Sequence, residues 1–425
     1  MHKQTLVVTF AASLAAATLS TGAATATSAS DSAAAAVQPA GAQTAAGLAG
    51  ARHISYRDWS TPRALRNGVR SGVVVSGDSA RIRGTARRAG RWTSPWVRPG
   101  FALTEAIPSW DATTPRGTWV SVRMRARTPG GRMSSWDSLG RWASHERRFH
   151  RRTFGDQADD LARVAVDTLR SRGVARLTRW RVRVTLHRRA GTSATPRLHA
   201  VGAMASRLPG GNPPTTRTTM RGQRDITVPR RSQMIHSGHY PQWGGGGEAW
   251  CSPTSTTMVL GHWGRGPRPR AYRWVGRRHR NAAVDHAARS TFDYGYDGAG
   301  NWAFNVAYAN RYRTSSFVTR LRSLREAERF IRRGIPLVAS INFGPGELDG
   351  APISSTAGHL LVIRGFTANG RVIANDPAAR RNSGVRRVYK RGQFANAWVG
   401  GSGGLVYVIR PQGRALPART PEANW

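Results

Sequence analysis

From about Ala51 to Ser206 apolar and polar residues alternate in short runs. Val120, Val122, Met124 and Ala126 share one parity, and Ser121, Arg123, Arg125 and Arg127 share the other. This is the period of a strand with one buried face. Trp180 to His187, WRVRVTLH, alternates in the same way, and Gly72 to Val75 and Ala80 to Thr85 are shorter candidates. Turn signals such as Thr128-Pro129-Gly130-Gly131 separate such runs. The pattern predicts an antiparallel β-sandwich over residues 51–206. Eight tryptophans fall in this half, among them Trp92, Trp96, Trp110, Trp119, Trp136 and Trp142. They are expected to fill its core more than to stack on sugar rings.

The pattern then changes. Residues 207–224, from Leu208 rich in Pro, Gly and Thr, read as a linker between domains. Beyond Asp225, Pro253 to Trp263 is predicted helical. Ser323 to Arg333 is a second helix, with Ser323 and Glu326 as a capping box, Gly334 as its stop, and Leu324, Ala327, Phe330 and Ile331 as its apolar face. Strands are expected at Pro336 to Phe343, His359 to Gly365, Arg371 to Ala374 and Leu405 to Arg410. Helices followed by strands give an α+β domain over residues 225–411, with 412–425 as a tail.

Composition adds a location. His2 and Lys3 precede an apolar stretch of small residues, and Ala24-Thr25-Ala26 offers an A-x-A cleavage site. Residues 1–26 therefore read as a secretory signal peptide, and 27–50 as an Ala-rich linker. No other window has transmembrane length, so a secreted, extracellular protein without a membrane span is expected. About 375 residues remain, too many for one core, which implies two domains. The formal net charge is +43, nearly all of it from arginine, since Lys3 and Lys390 are the only lysines. Such a surface attracts polyanions, and for an exported chain an anionic cell-wall polymer or glycan fits better than nucleic acid, for which no motif is present. The acidic group Asp156, Asp159, Asp160 and Asp167 is read as paired surface charge before a calcium site. No cofactor or metal is expected: Cys/His clusters of metal-ligand type are missing, and Gly244 to Gly247 lacks the lysine of a phosphate loop.

Cys251 is the single cysteine of the chain, so a disulfide within it is excluded. It lies in GGGGEAWCSPTS. Pro253 favours the first helical position, which makes Ser252 the expected N-cap and sets Cys251 just before a helix N-terminus. The dipole there favours a negative sulfur, and the glycines permit close approach of a substrate. A reactive thiol needs a base and a residue to orient it. Of twelve histidines, His359 stands out, because it follows Thr356-Ala357-Gly358 and leads into the apolar strand LLVIRG. A two-residue hairpin turn at Asn369-Gly370 would pair His359 with Arg380. A four-residue loop, Phe366 to Asn369, would pair it with Asp376. Either register places His359 and Asp376 on one face, and the longer loop is the one expected. Cys251, His359 and Asp376 together predict a catalytic triad. The Cys251 N–H would be one oxyanion donor. Gln233 or Gln242 would supply another, and spacing does not choose between them.

Three blocks resemble the C39-like cysteine peptidases, which share the papain-like fold. They are VPRRSQ (Val228 to Gln233) followed by CSPTSTTMVLGHWG, GIPLVASINF (Gly334 to Phe343), and AGHLLVIRGFTANGRVIANDPAA (Ala357 to Ala379). The resemblance implies a Cys nucleophile, a His base, an Asp or Asn orienter and an oxyanion-hole Gln. By motif these become Cys251, His359, Asp376 and Gln233. Ser252 stands where the family usually has Gly, and MIHSGHYPQWGGGG (Met234 to Gly247) is an insertion. The implied activity is hydrolysis of peptide bonds in a peptide or protein substrate. A peptidoglycan amidase or endopeptidase is the alternative within enzymes, and a non-catalytic wall- or glycan-binding protein the alternative outside them.

Overall fold

The computed structural model describes residues 50–146, 149–155, 157–276, 279–418 and 424–425. The predicted signal peptide and the Ala-rich linker up to residue 49 lie outside the described residues. Most regular structure is β-sheet, with few helices.

The first half holds β1 (His53–Trp59), the short helix α1 (Pro62–Arg66), β2 (Val69–Ser71), β3 (Val73–Ser76), β4 (Ser79–Ile82) and β5 (Ala89–Thr93). There follow β6 (Glu105–Thr113), β7 (Thr118–Arg127), β8 (Asp137–Trp142), β9 (Ala162–Ala165), β10 (Thr168–Ser171), β11 (Arg179–Arg188) and β12 (Arg197–Arg207). They form two antiparallel sheets. One runs β3-β4-β12-β6-β10-β9 with β1 on β12, and the other runs β2-β5-β11-β7-β8. The alternating strands β7 and β11 bury Val120, Val122, Met124, Trp180, Val182 and Val184. These meet Trp59, Trp110, Val201 and Ala203 of the facing sheet in one core. Trp59, Trp92, Trp110, Trp142 and Trp180 are buried, whereas Trp96, Trp119 and Trp136 are only partly so.

The second half holds β13 (Arg224–Asp225), α2 (Cys251–His262), α3 (Ala283–Thr291), α4 (Trp302–Asn310), β14 (Thr314–Arg320) and α5 (Leu324–Arg332). It continues with β15 (Leu337–Phe343), β16 (Thr356–Phe366), β17 (Val372–Asn375), β18 (Arg386–Tyr389), α6 (Arg391–Ala395) and β19 (Leu405–Pro411). Its sheet runs β14-β19-β15-β16-β17-β18, with β13 on β16. The helix read at Ser323 forms and Gly334 ends it at φ +72°. Its capping box forms differently: the Ser323 side chain makes no cap bond, and Glu326 accepts from the N–H of Arg322 at 2.7 Å.

Strands β6 and β12 are buried almost without alternation, because both faces of their sheet are covered. Ile107 and Met204, cross-strand partners, belong to the core of the second half, while Trp110 and Val201 belong to that of the first. In return α4 sends Ala303, Phe304 and Ala307 into the first core. Phe304 lies edge-on to Trp110 at 6.1 Å, over Gly140, where a Cβ would come within 2.9 Å of its ring. Tyr56 stacks on Phe317 at 4.5 Å, and the Val318 N–H donates to Ser109 Oγ at 2.9 Å. Asp167 of the acidic group is buried here and accepts from the N–H of Trp302 at 2.6 Å, at the start of α4. Asp159 and Asp160 accept hydrogen bonds from Ser135; Asp156 lies outside the described residues.

The segment read as a linker is tied down along the second half. Thr218 and Thr219 donate to the buried Glu328 carboxylate, and Arg391 Nε donates to the Thr216 carbonyl at 2.6 Å. Trp425, in the predicted tail, is buried against Phe330 at 5.0 Å. Among the described residues no helix is long and apolar enough to cross a membrane.

Candidate active site

Helix α2 begins two residues earlier than the sequence suggests: Cys251 is its first residue and Trp250 its N-cap. Ser252 does not cap. It is buried, and its Oγ lies 2.9 Å from the Tyr407 hydroxyl on β19. The helix is buried along most of its length, and Ser255 Oγ donates to the Leu360 carbonyl of β16 at 3.0 Å. Two ties thus press the N-terminal turn of α2 onto the sheet. Cys251 is partly buried, with its sulfur at the helix end where the first N–H groups have no intrahelical acceptor.

His359 lies on β16 opposite Ile341 of β15. Its Nε2 is 2.8 Å from Asp376 Oδ1, and both residues are buried. Nδ1 is the ring nitrogen left for Cys251, which is near enough to favour the protonated imidazole. Asp376 is saturated with donors: Oδ1 also accepts from the N–H of Ala378 at 3.0 Å, and Oδ2 from the Tyr389 hydroxyl at 2.7 Å. Burial disfavours a charged His359, yet the Asp376 carboxylate and then Cys251 outweigh it and lift the ring to about 10. Burial likewise pushes Asp376 up, but the His359 charge and the bonds from His359, Tyr389 and Ala378 hold it below the usual carboxylate range.

The hairpin that joins them differs from the expected one. Thr367 and Arg371 close a three-residue loop with Gly370 at φ +78°, so the four-residue loop is not formed. Such a loop alone would send His359 and Asp376 to opposite faces. A β-bulge between Ile363 and Gly365 inserts Arg364 and reverses the parity. Beyond it Val362 pairs with Asn375, which sets Asp376 opposite Leu361, two residues from His359 on the same face. Arg364 is fixed by Asp225 at 2.7 Å and by Asn375 at 3.1 Å.

Of the two glutamines, Gln233 is buried and Gln242 exposed. Gln233 Nε2 donates to the Glu248 carbonyl, three residues before Cys251, and its backbone N–H donates to the Pro377 carbonyl at 2.8 Å, next to Asp376. Gln233 therefore touches both the cysteine and the aspartate segments. The four glycines act on the chain itself. Gly244, Gly245 and Gly246 have φ of +78°, +87° and +116°. A Cβ on Gly247 would lie 2.3 Å from the His236 carbonyl carbon, so the backbone crosses itself there. Sequence reasoning missed Tyr389, the second clamp on Asp376; nothing in its local pattern marks it.

The family model described as Peptidase C39 N-terminal domain matches residues 55–206. That of the Peptidase_C39 like family matches residues 225–404. The chain belongs to the C39-like peptidase family. The second match takes in Cys251, Gln233, His359 and Asp376, and the first takes in most of the two-sheet half. No curated protein matches the chain. Membership of this family supports a peptidase, hence a hydrolase acting on peptide or protein.

Proposed function

We propose that the protein is a secreted cysteine peptidase of papain-like fold, working through Cys251, His359 and Asp376 with Gln233 in the oxyanion hole. The observation that carries this reading is His359, which is held at 2.8 Å by the buried Asp376 carboxylate and interacts electrostatically with Cys251. The fold reading rests on a helix with cysteine at its first residue packed on an antiparallel sheet that presents the histidine.

In the proposed reaction the proton of Cys251 resides on His359, and the thiolate attacks the carbonyl carbon of the scissile amide. A C–S bond forms, and the carbonyl oxygen becomes an oxyanion facing the helix N–H groups and Gln233. The C–N bond breaks as His359 gives its proton to the leaving amine. Water then attacks the thioester, His359 takes its proton, and the acid leaves with the thiolate regenerated. Asp376 keeps the imidazole in one tautomer and stabilises its charge throughout.

The test compares wild type with Cys251→Ala and His359→Ala on a denatured protein mixture, with new N-termini read by mass spectrometry. Cleavage by wild type alone is expected. Cleavage that persists in Cys251→Ala would sink the reading. So would a Cys251 whose alkylation by iodoacetamide ignores His359→Ala.

The first half adds a docking face for an anionic wall polymer. Strands β7 and β11 set arginine directly against arginine at Arg123–Arg183, Arg125–Arg181 and Arg127–Arg179. Like charges so placed repel. Trp136 relieves them in part, with Arg183, Arg181 and Arg125 over its ring at 3.9, 5.1 and 5.2 Å. Burial and then the neighbouring guanidinium groups hold Arg183 below its ordinary value. A polyanion would remove that repulsion. Salt-sensitive binding to purified wall teichoic acid, lost in Arg123→Gln/Arg183→Gln with cleavage intact, is expected; equal binding by that variant would refute this face.

A further inference from the structure

A second cluster of reactive side chains lies in the insertion between Gln233 and Cys251, and the proposed peptidase chemistry does not use it. His236 ends a 3-10 turn, Met234–His236, and His239 follows three residues later. Asp285 lies in the first turn of α3. One ligand-type atom from each falls within 4.8 Å of the others. His236 Nδ1 is 3.0 Å from Asp285 Oδ2, and His239 Nδ1 is 2.9 Å from Asp285 Oδ1.

The arrangement is incomplete as a hydrogen-bond network. His236 and Asp285 are fully buried. Yet His236 Nδ1, His236 Nε2 and Asp285 Oδ2 have no hydrogen-bond partner, since the 3.0 Å approach lacks the necessary alignment. A buried imidazole ordinarily satisfies both nitrogens, and each orphaned group disfavours the fold. His239 and Asp285 Oδ1 share a proton at 2.9 Å, but the lone pairs of His236 and Asp285 Oδ2 that converge beside them do not, which a cation would resolve. Ligands about 2.0–2.1 Å from a tetrahedral zinc stand about 3.4 Å apart, close to the spacings found.

We propose that His236, His239 and Asp285 bind one divalent transition-metal ion, with zinc the best fit. Two imidazoles and a carboxylate suit zinc better than calcium or magnesium, which prefer all-oxygen shells. A fourth position remains for water or for the exposed His279, whose ring packs edge-on against His239 at 4.2 Å. The net charge of +43 repels cations in general, so a retained ion needs a built site of this kind. The ion would pin the insertion to α3. It would also brace Gln233, whose carbonyl accepts from the N–H of His236 at 2.9 Å. This assignment does not depend on the peptidase reading.

The full chain, stripped with a chelator, is titrated with zinc against a chromophoric competitor, and with cobalt(II) followed by visible absorption. One equivalent per chain, an intense four-coordinate cobalt spectrum and a rise in Tm with zinc are expected. His239→Ala and Asp285→Asn should each weaken zinc by more than about 100-fold, beyond the range of outer-shell changes. His359→Ala should bind zinc as wild type does. Wild type that takes up neither metal, or variants that bind it undiminished, would overturn the proposal. If a variant does not fold, the wild-type cobalt spectrum and zinc protection of the partly exposed His239 from diethyl pyrocarbonate decide it; no protection refutes it.

Discussion

Replacing Asp376 by Asn removes a charge and keeps the shape. The amide oxygen can still accept from His359 and from the Ala378 N–H, and the amide nitrogen can face the Tyr389 hydroxyl, which turns to accept. The electrostatics change far more. His359 is lifted from 6.5 to about 10 although burial opposes it. At about 1.4 kcal/mol per pKa unit, its partners favour the charged ring by a net amount on the order of 5 kcal/mol. Without the carboxylate, burial remains, opposed only by Cys251, and the ring is neutral at pH 7. Loss of an orienting aspartate in this way lowers kcat by about 10⁴-fold in a comparable triad. The assay is the rate of iodoacetamide capture at Cys251 from pH 5 to 9, read by mass spectrometry, alongside peptide cleavage. Wild type should react at a nearly constant rate through neutral pH. Asp376→Asn should gain about tenfold per pH unit, as a thiol without a charged partner does below about pH 8.5. Matching profiles with unchanged cleavage would refute the reasoning.

The same pair makes stability depend on pH. The raised His359 contributes fully below about 6.5 and loses its contribution as pH rises towards about 10, while the lowered Asp376 loses its own as pH falls below the carboxylate range. The unfolding free-energy gap between wild type and Asp376→Asn should therefore be largest near pH 5–6 and shrink by pH 10 in chemical denaturation. One residue inserted between Leu360 and Leu361 should abolish cleavage with the circular dichroism retained, because it turns His359 and Asp376 to opposite faces of the strand pair; cleavage that survives would count against the register. Phe304→Ala should cost about 3–5 kcal/mol, with both halves melting in a single shifted calorimetric transition. A shift confined to one of two transitions would count against the shared core.

Strand periodicity made much of this legible. The alternation at Val120 to Ala126 and Trp180 to Leu186 set the buried faces of β7 and β11, and the Thr356–Phe366 run marked the strand of His359. The bulge at Arg364 escaped, because its cause is tertiary: Asp225, distant in sequence, holds the extra residue. The union of the two halves left a fainter mark. Val201 to Ala205 does not alternate, which signals a strand covered on both faces, but small residues make such a run easy to pass over. His236, His239 and Asp285 could not be joined in advance, since α3 brings the aspartate from 46 residues beyond His239.

The sheet of β6 and β12 has a consequence for where change can be felt. It gives one face to each core, so the reacting half draws part of its solidity from strands that carry none of the proposed reacting atoms. Substitutions far out in the first half would reach Cys251 and His359 as altered working lifetime, with the chemistry of each turnover untouched. Durability and catalysis are then tuned on separate stretches of one chain.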